Sequence, residues 1–89
     1  MSNKIKSFYV NMTNATDEQI EGLHALCIAT GASLCEDVET WIENKWECPL
    51  MGVDINGEII SLGEVGVAWF NNTEIKLEDV ATYLGVNHG

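Results

Sequence analysis

Leu50-Met-Gly-Val-Asp-Ile-Asn-Gly-Glu-Ile-Ile-Ser-Leu62 is the stretch that decides the fold. Two apolar, β-branched runs flank Asn56-Gly57, the dipeptide that most readily supplies the two positive-φ residues of a type I′ turn. The stretch therefore predicts an antiparallel hairpin. Upstream, residues 5–12 alternate, with Phe8, Val10 and Met12 on one face and Ser7, Tyr9 and Asn11 on the other; period two means a half-buried strand. Thr16-Asp-Glu-Gln19 then reads as a capping box. Behind it Ile20, Leu23, Leu26 and Cys27 form the apolar stripe of a helix over 17–30, with Gly31 as its left-handed stop. Ala32–Cys35 reads as a short returning strand. Residues 36–49 favour neither period: Val38, Trp41 and Ile42 have helical spacing, but Pro49 closes the segment, which reads as a loop with room for one helical turn. Downstream, Gly66-Val-Ala-Trp-Phe70 reads as a strand ended by Asn71-Asn72. Residues 77–84 read as a short helix with Leu77, Val80, Ala81 and Leu84 inward and Gly85 as its stop. The order β-α-β-loop-β-β-β-α predicts an α+β fold, a mostly antiparallel sheet with two helices packed on one face.

The 89 residues make a single domain, 1–89, with 46% hydrophobic and 20% charged residues, too apolar a balance for intrinsic disorder. Four lysines and no arginine stand against 14 acidic residues, a formal charge of −10. Phosphate contacts need Lys and Arg, so neither direct nucleic-acid binding nor attachment to anionic membranes is expected. No apolar run approaches the length of a membrane span, and Met1-Ser-Asn-Lys-Ile-Lys6 lacks a signal peptide's apolar segment, so a soluble cytoplasmic protein is expected. In that setting Asn11-Met-Thr, Asn14-Ala-Thr and Asn71-Asn-Thr are chance matches to the glycosylation pattern. Cys27, Cys35 and Cys48 read as reduced thiols.

Metal and catalytic chemistry find little purchase. His24, Cys27, Cys35, Cys48 and His88 are zinc-ligand types, and His24 and Cys27 stand at i, i+3. No Cys-x-x-Cys knuckle exists, and the cysteine spacings fit no zinc pattern, so no metal and no cofactor is expected; a module stapled by Cys35, Cys48 and His24 is a third-ranked reading. A nucleophilic thiolate needs a positive neighbour, whereas Glu36 and Glu47 flank Cys35 and Cys48. Asp54 to Glu58 has the look of a calcium loop but lacks its third acid and its closing Glu, so the hairpin turn explains it better. With no phosphate loop, nucleophile elbow or zincin helix in the sequence, the protein is not expected to be an enzyme.

The acidic cluster is the sharper feature. Glu36, Asp37, Glu39, Glu43 and Glu47 fall within twelve residues that hold one cation, Lys45, and enclose Trp41 and Trp46. Its plain reading is a solvated loop whose tryptophans enter a thin core. Its functional reading is a docking surface, with Trp41 and Trp46 as anchors and the five carboxylates as a rim that steers a basic partner.

Lys6-Ser-Phe-Tyr-Val10, Asn14-Ala-Thr-Asp-Glu-Gln-Ile-Glu21 and Glu74-Ile-Lys-Leu-Glu-Asp-Val-Ala-Thr-Tyr-Leu-Gly85 resemble, in style and layout, the small acidic accessory proteins of tailed bacteriophages. The resemblance implies a non-enzymatic inhibitor of a host defence protein, such as a CRISPR effector, or of a nucleic-acid-handling protein. It would act in the host cytoplasm by occluding a basic surface, as DNA mimics do. The second expectation is a small homo-oligomer that sequesters a nucleotide or other small ligand between subunits.

Overall fold

Alternation along the first strand sorts its side chains by face: Phe8 and Val10 are buried and Asn11 meets water. In the computed structural model, which describes residues 6–70 and 73–85, this strand, β1 (Phe8–Asn11), pairs antiparallel with β2 (Leu50–Val53). Strand β2 pairs antiparallel in turn with β3 (Ile59–Leu62), giving a three-stranded sheet in the order β1-β2-β3. The register places Phe8, Val53 and Ile59 abreast, then Val10, Met51 and Ser61, so these residues share one face. Helix α1 (Asp17–Ala29) packs there through Ile20, Leu23 and Cys27. Its capping box is complete: Thr16 Oγ1 accepts from the Gln19 N–H at 3.1 Å, and Gln19 Oε1 accepts from the Thr16 N–H at 2.9 Å. Gly31, at φ 108°, ends it. The same core takes Trp41 from α2 (Val38–Glu43) and Val80 from α3 (Val80–Tyr83), which continues a 3₁₀ turn over Leu77–Asp79. The fold is thus α+β, an antiparallel sheet with its α-helices on one face.

The second face carries Tyr9, Leu50, Gly52, Ile60 and Leu62 by alternation. A 3₁₀ helix, Glu64–Phe70, lies across it against all three strands; the buried Phe70 ring sits 5.4 Å from Tyr9, and Gly66 rests against the Leu62 side chain. Strand β2 is therefore covered on both sides and buried at every residue.

Two expected elements take a different form, and a third is extended. In residues 36–49 the one helical turn for which the loop had room becomes the six-residue helix α2; so short a helix does not hold alone, and tertiary packing of Trp41 supplies the stability. Ala32–Cys35 is not a strand but a single bridge: Ser33 N–H donates to Gly57 O (2.8 Å), Ser33 O accepts from Ile59 N–H (3.0 Å), and pairing stops there. Gly66–Phe70 is not a strand because neither sheet edge is vacant. Ser33 and Glu36 occupy the outer side of β3, while Thr73 O and Ile75 N–H bond the Tyr9 backbone on the outer side of β1. The segment folds over the sheet instead. Ile5, the expected strand end at Asn71-Asn72, and His88 lie outside the described residues.

The hairpin is present, but its turn is not type I′. Gly57 N–H donates to Asp54 O (3.0 Å) and Asp54 N–H to Glu58 O (2.9 Å), which makes a three-residue loop with Gly57 in the left-handed position, φ 80°. The buried Asp54 carboxylate causes the shift: its Oδ1 accepts from the Asn56 and Glu58 N–H groups, both at 2.9 Å, and draws the turn one residue upstream. Gly57→Val is expected to cost about 1 kcal/mol or more, read as a lower urea midpoint, while Gly57→Asn costs less because Asn tolerates that backbone. Equal midpoints for Gly57→Val and the parent protein would contradict the left-handed turn.

Candidate docking surface

Helix α2 sorts the seven candidate residues into three roles. Trp41 is not an anchor. It is fully buried, its ring meeting the edge of His24 at a centroid distance of 4.9 Å and an interplanar angle of 80°. Residues 38, 41 and 42 face the core at helical spacing, and the indole has no route to a partner. Trp46 is the opposite case, 82% exposed, in the turns that follow α2.

Glu36 is not a rim residue either. Half-buried, it turns its carboxylate on β3, where Oε1 accepts from the Ser61 N–H at 3.0 Å and the Ser61 hydroxyl at 2.9 Å. Its backbone carbonyl accepts from His24 Nε2 at 2.7 Å; a carbonyl only accepts, so that ring nitrogen carries the proton. Glu36 thereby ties α1, the loop before α2 and β3 together. Glu36→Ala leaves the Ser61 groups unpaired in a half-buried site and is expected to cost about 1–3 kcal/mol in chemical denaturation, with Glu36→Gln costing less because it keeps the acceptor. Equal stability of all three proteins would remove Glu36 from this structural role.

Asp37, Glu39, Glu43 and Glu47 are exposed. Asp37 stands at the N-cap of α2 without making a side-chain capping bond, and Glu39 and Glu43, at i, i+4, share its solvent face. Glu43 and Glu47 bracket Trp46 through turns closed by Asn44 O, which accepts from Glu47 N–H (3.0 Å) and Cys48 N–H (2.7 Å). Lys45 is committed: its Nζ donates to the Ala15 carbonyl and lies 5.3 Å from the Trp46 ring centroid. The resulting surface offers one large exposed ring among four carboxylates, with the nearby ammonium already held.

The remaining candidates do not converge. Cys27 is buried, Cys35 exposed and Cys48 half-buried, all as free thiols, and among the described residues no three His, Cys, Asp or Glu side chains stand together as a metal site. Burial pushes the Cys27 thiol up to about 12. The Cys35 thiol is raised by partial desolvation first and then by the Glu58, Glu36 and Asp54 carboxylates, the reverse of what activates a nucleophile. An open cleft of about 420 Å³ is lined by Glu74, Ile75, Lys76, Asp79, Thr82 and Tyr83; two carboxylates against one ammonium make a poor phosphate site. Among the described residues no helix is long and apolar enough to cross a membrane. The chain matches no protein-family model, no curated protein sequence and no solved structure.

Proposed function

We propose that the protein acts by binding rather than catalysis, docking the 37–47 surface on a partner whose own surface is basic. The observation that carries this reading is Trp46: a ring of the type that anchors interfaces, 82% exposed, stands between Glu43 and Glu47 with its neighbouring cation tied down. Lys45 over one side of the indole illustrates what the ring accepts, and an incoming Lys or Arg can use the other side. The partner class implied by the phage-like layout is a host defence or nucleic-acid-handling protein, inhibited by occlusion of the groove that would hold phosphates. The raised thiols and the committed His24 ring favour binding over acid–base or nucleophilic chemistry. Sequestration of a nucleotide by an oligomer gains no support from the acid-rich 74–83 cleft.

The test compares the parent protein, Trp46→Ala and Glu39→Lys/Glu43→Lys as baits in bacterial lysate, followed by kinetics on whatever the parent retains. Trp46→Ala is expected to weaken binding by about 2 kcal/mol, and the charge reversals to slow association in a salt-dependent way, all with parental melting temperatures. Baits that retain the same proteins in equal amounts would refute the reading.

A further inference from the structure

The 3₁₀ helix Glu64–Phe70 uses its apolar residues poorly. Of Val65, Val67, Trp69 and Phe70, only Phe70 is buried; Val65 is fully exposed and Trp69 is 51% exposed. Ile55, 54% exposed at the hairpin tip, joins them, because its N–H donates to the Trp69 carbonyl at 2.9 Å. A sequence with the composition of a buried strand is thus laid over the sheet with Trp69 and Val65 turned outward. Monomeric proteins seldom leave such a grouping open unless something covers it.

Charge decides what the cover is. From Trp46 to Ile75 the chain has no Lys or Arg, and Glu47, Glu58, Glu64 and Glu74 stand along the same stretch, three of them exposed and Glu58 half-exposed. A second copy would bring two such acidic, lysine-free stretches together between chains that each carry −10, which is unfavourable. An added strand is disfavoured as well, because both sheet edges are occupied at Ser33–Glu36 and at 73–75. We infer that Val65, Trp69 and Ile55 form the apolar centre of a docking surface for a partner segment with an apolar stripe bordered by Lys or Arg. This rests on the binding reading above and extends its contact area: a Cβ added at Gly63 would lie 3.3 Å from the Glu47 carbonyl oxygen, so the Trp46 turn and the start of the 3₁₀ helix adjoin.

The probe is a helical peptide of Leu and Lys with one Leu face, titrated into the full-length protein at low salt and at about 0.5 M salt; a Leu/Glu peptide of the same pattern is the control. The Leu/Lys peptide is expected to bind at low salt, weaken in high salt, and lose about tenfold or more in affinity on Val65→Ser/Trp69→Ser, with the melting temperature unchanged because both residues are exposed. Ile28→Ser, which removes an exposed residue on α1, should bind as the parent does. Equal binding of the Leu/Glu peptide, or parental affinity in Val65→Ser/Trp69→Ser, would overturn the inference. So would a parent dimer that Trp69→Ser dissociates, since a second copy would then be the occupant. Trp46→Ser and Glu39→Lys/Glu43→Lys, titrated alongside, keep the two ideas apart. If they lose affinity while Val65→Ser/Trp69→Ser does not, the 37–47 surface stands alone and the extension falls; if none of the variants matters, both fall.

Discussion

Trp41→Ala is expected to unfold the domain or bring it close to unfolding. The indole is fully enclosed between α1 and the sheet, and deleting a buried Trp costs about 3–5 kcal/mol, most of what so small a core provides. Trp41→Phe is expected to behave differently. The Trp41 Nε1–H is buried without a hydrogen-bond partner among the described residues, so Phe keeps most of the ring contacts and removes a donor that gains nothing. The expected loss for Phe is below about 2 kcal/mol. Thermal melts of both variants beside Trp46→Ala, which should retain the parent temperature, separate the core indole from the surface one. A Trp41→Ala protein that melts like the parent would place this ring outside the core.

Gly52→Ala should be comparably damaging through a different cause. An added Cβ would lie 2.1 Å from the Phe8 carbonyl oxygen and 2.9 Å from the Tyr9 Cα, both backbone atoms of β1 that cannot swing aside as a side chain can. Strand β1 must then separate from β2, breaking the Tyr9–Gly52 register on which the sheet is built. A cost of about 3 kcal/mol or more is expected from one methyl group. Amide exchange is the sharper readout, since protection should be lost first along Phe8–Asn11. Parental protection there would mean that the two strands do not approach so closely.

Features written into a few neighbouring residues were legible in the sequence. The capping box at Thr16–Gln19, the burial of Phe8, Val10 and Met12, and the pairing of the two runs around Asn56-Gly57 each follow from local chemistry. What failed depended on distant partners. Gly66–Phe70 has strand composition, but a strand needs a free edge, and the edges are taken by residues 33–36 and 73–75. Trp41 and Trp46 stand five residues apart in similar company; the helical spacing of Val38, Trp41 and Ile42 carries Trp41 inward only because a core is there to receive it, and Trp46, past the end of α2, is left out. Glu36 looked like its acidic neighbours because its partner, Ser61, lies 25 residues away. The type I′ expectation missed because Asp54, outside the Asn-Gly pair, captures the loop amides.

The Glu36 contact also bears on how the chain stays dispersed while it folds. An open strand edge is a template on which another molecule can grow a sheet. On β3 that template is closed by a side chain, whose negative charge an incoming strand would have to displace and leave unpaired. Glu36 reaches that edge across 25 residues of sequence, so the closure depends on the loop before α2 being docked. A folding order that closes the hairpin before that loop docks would leave the β3 edge open for an interval, the stage at which a sheet recruits other molecules.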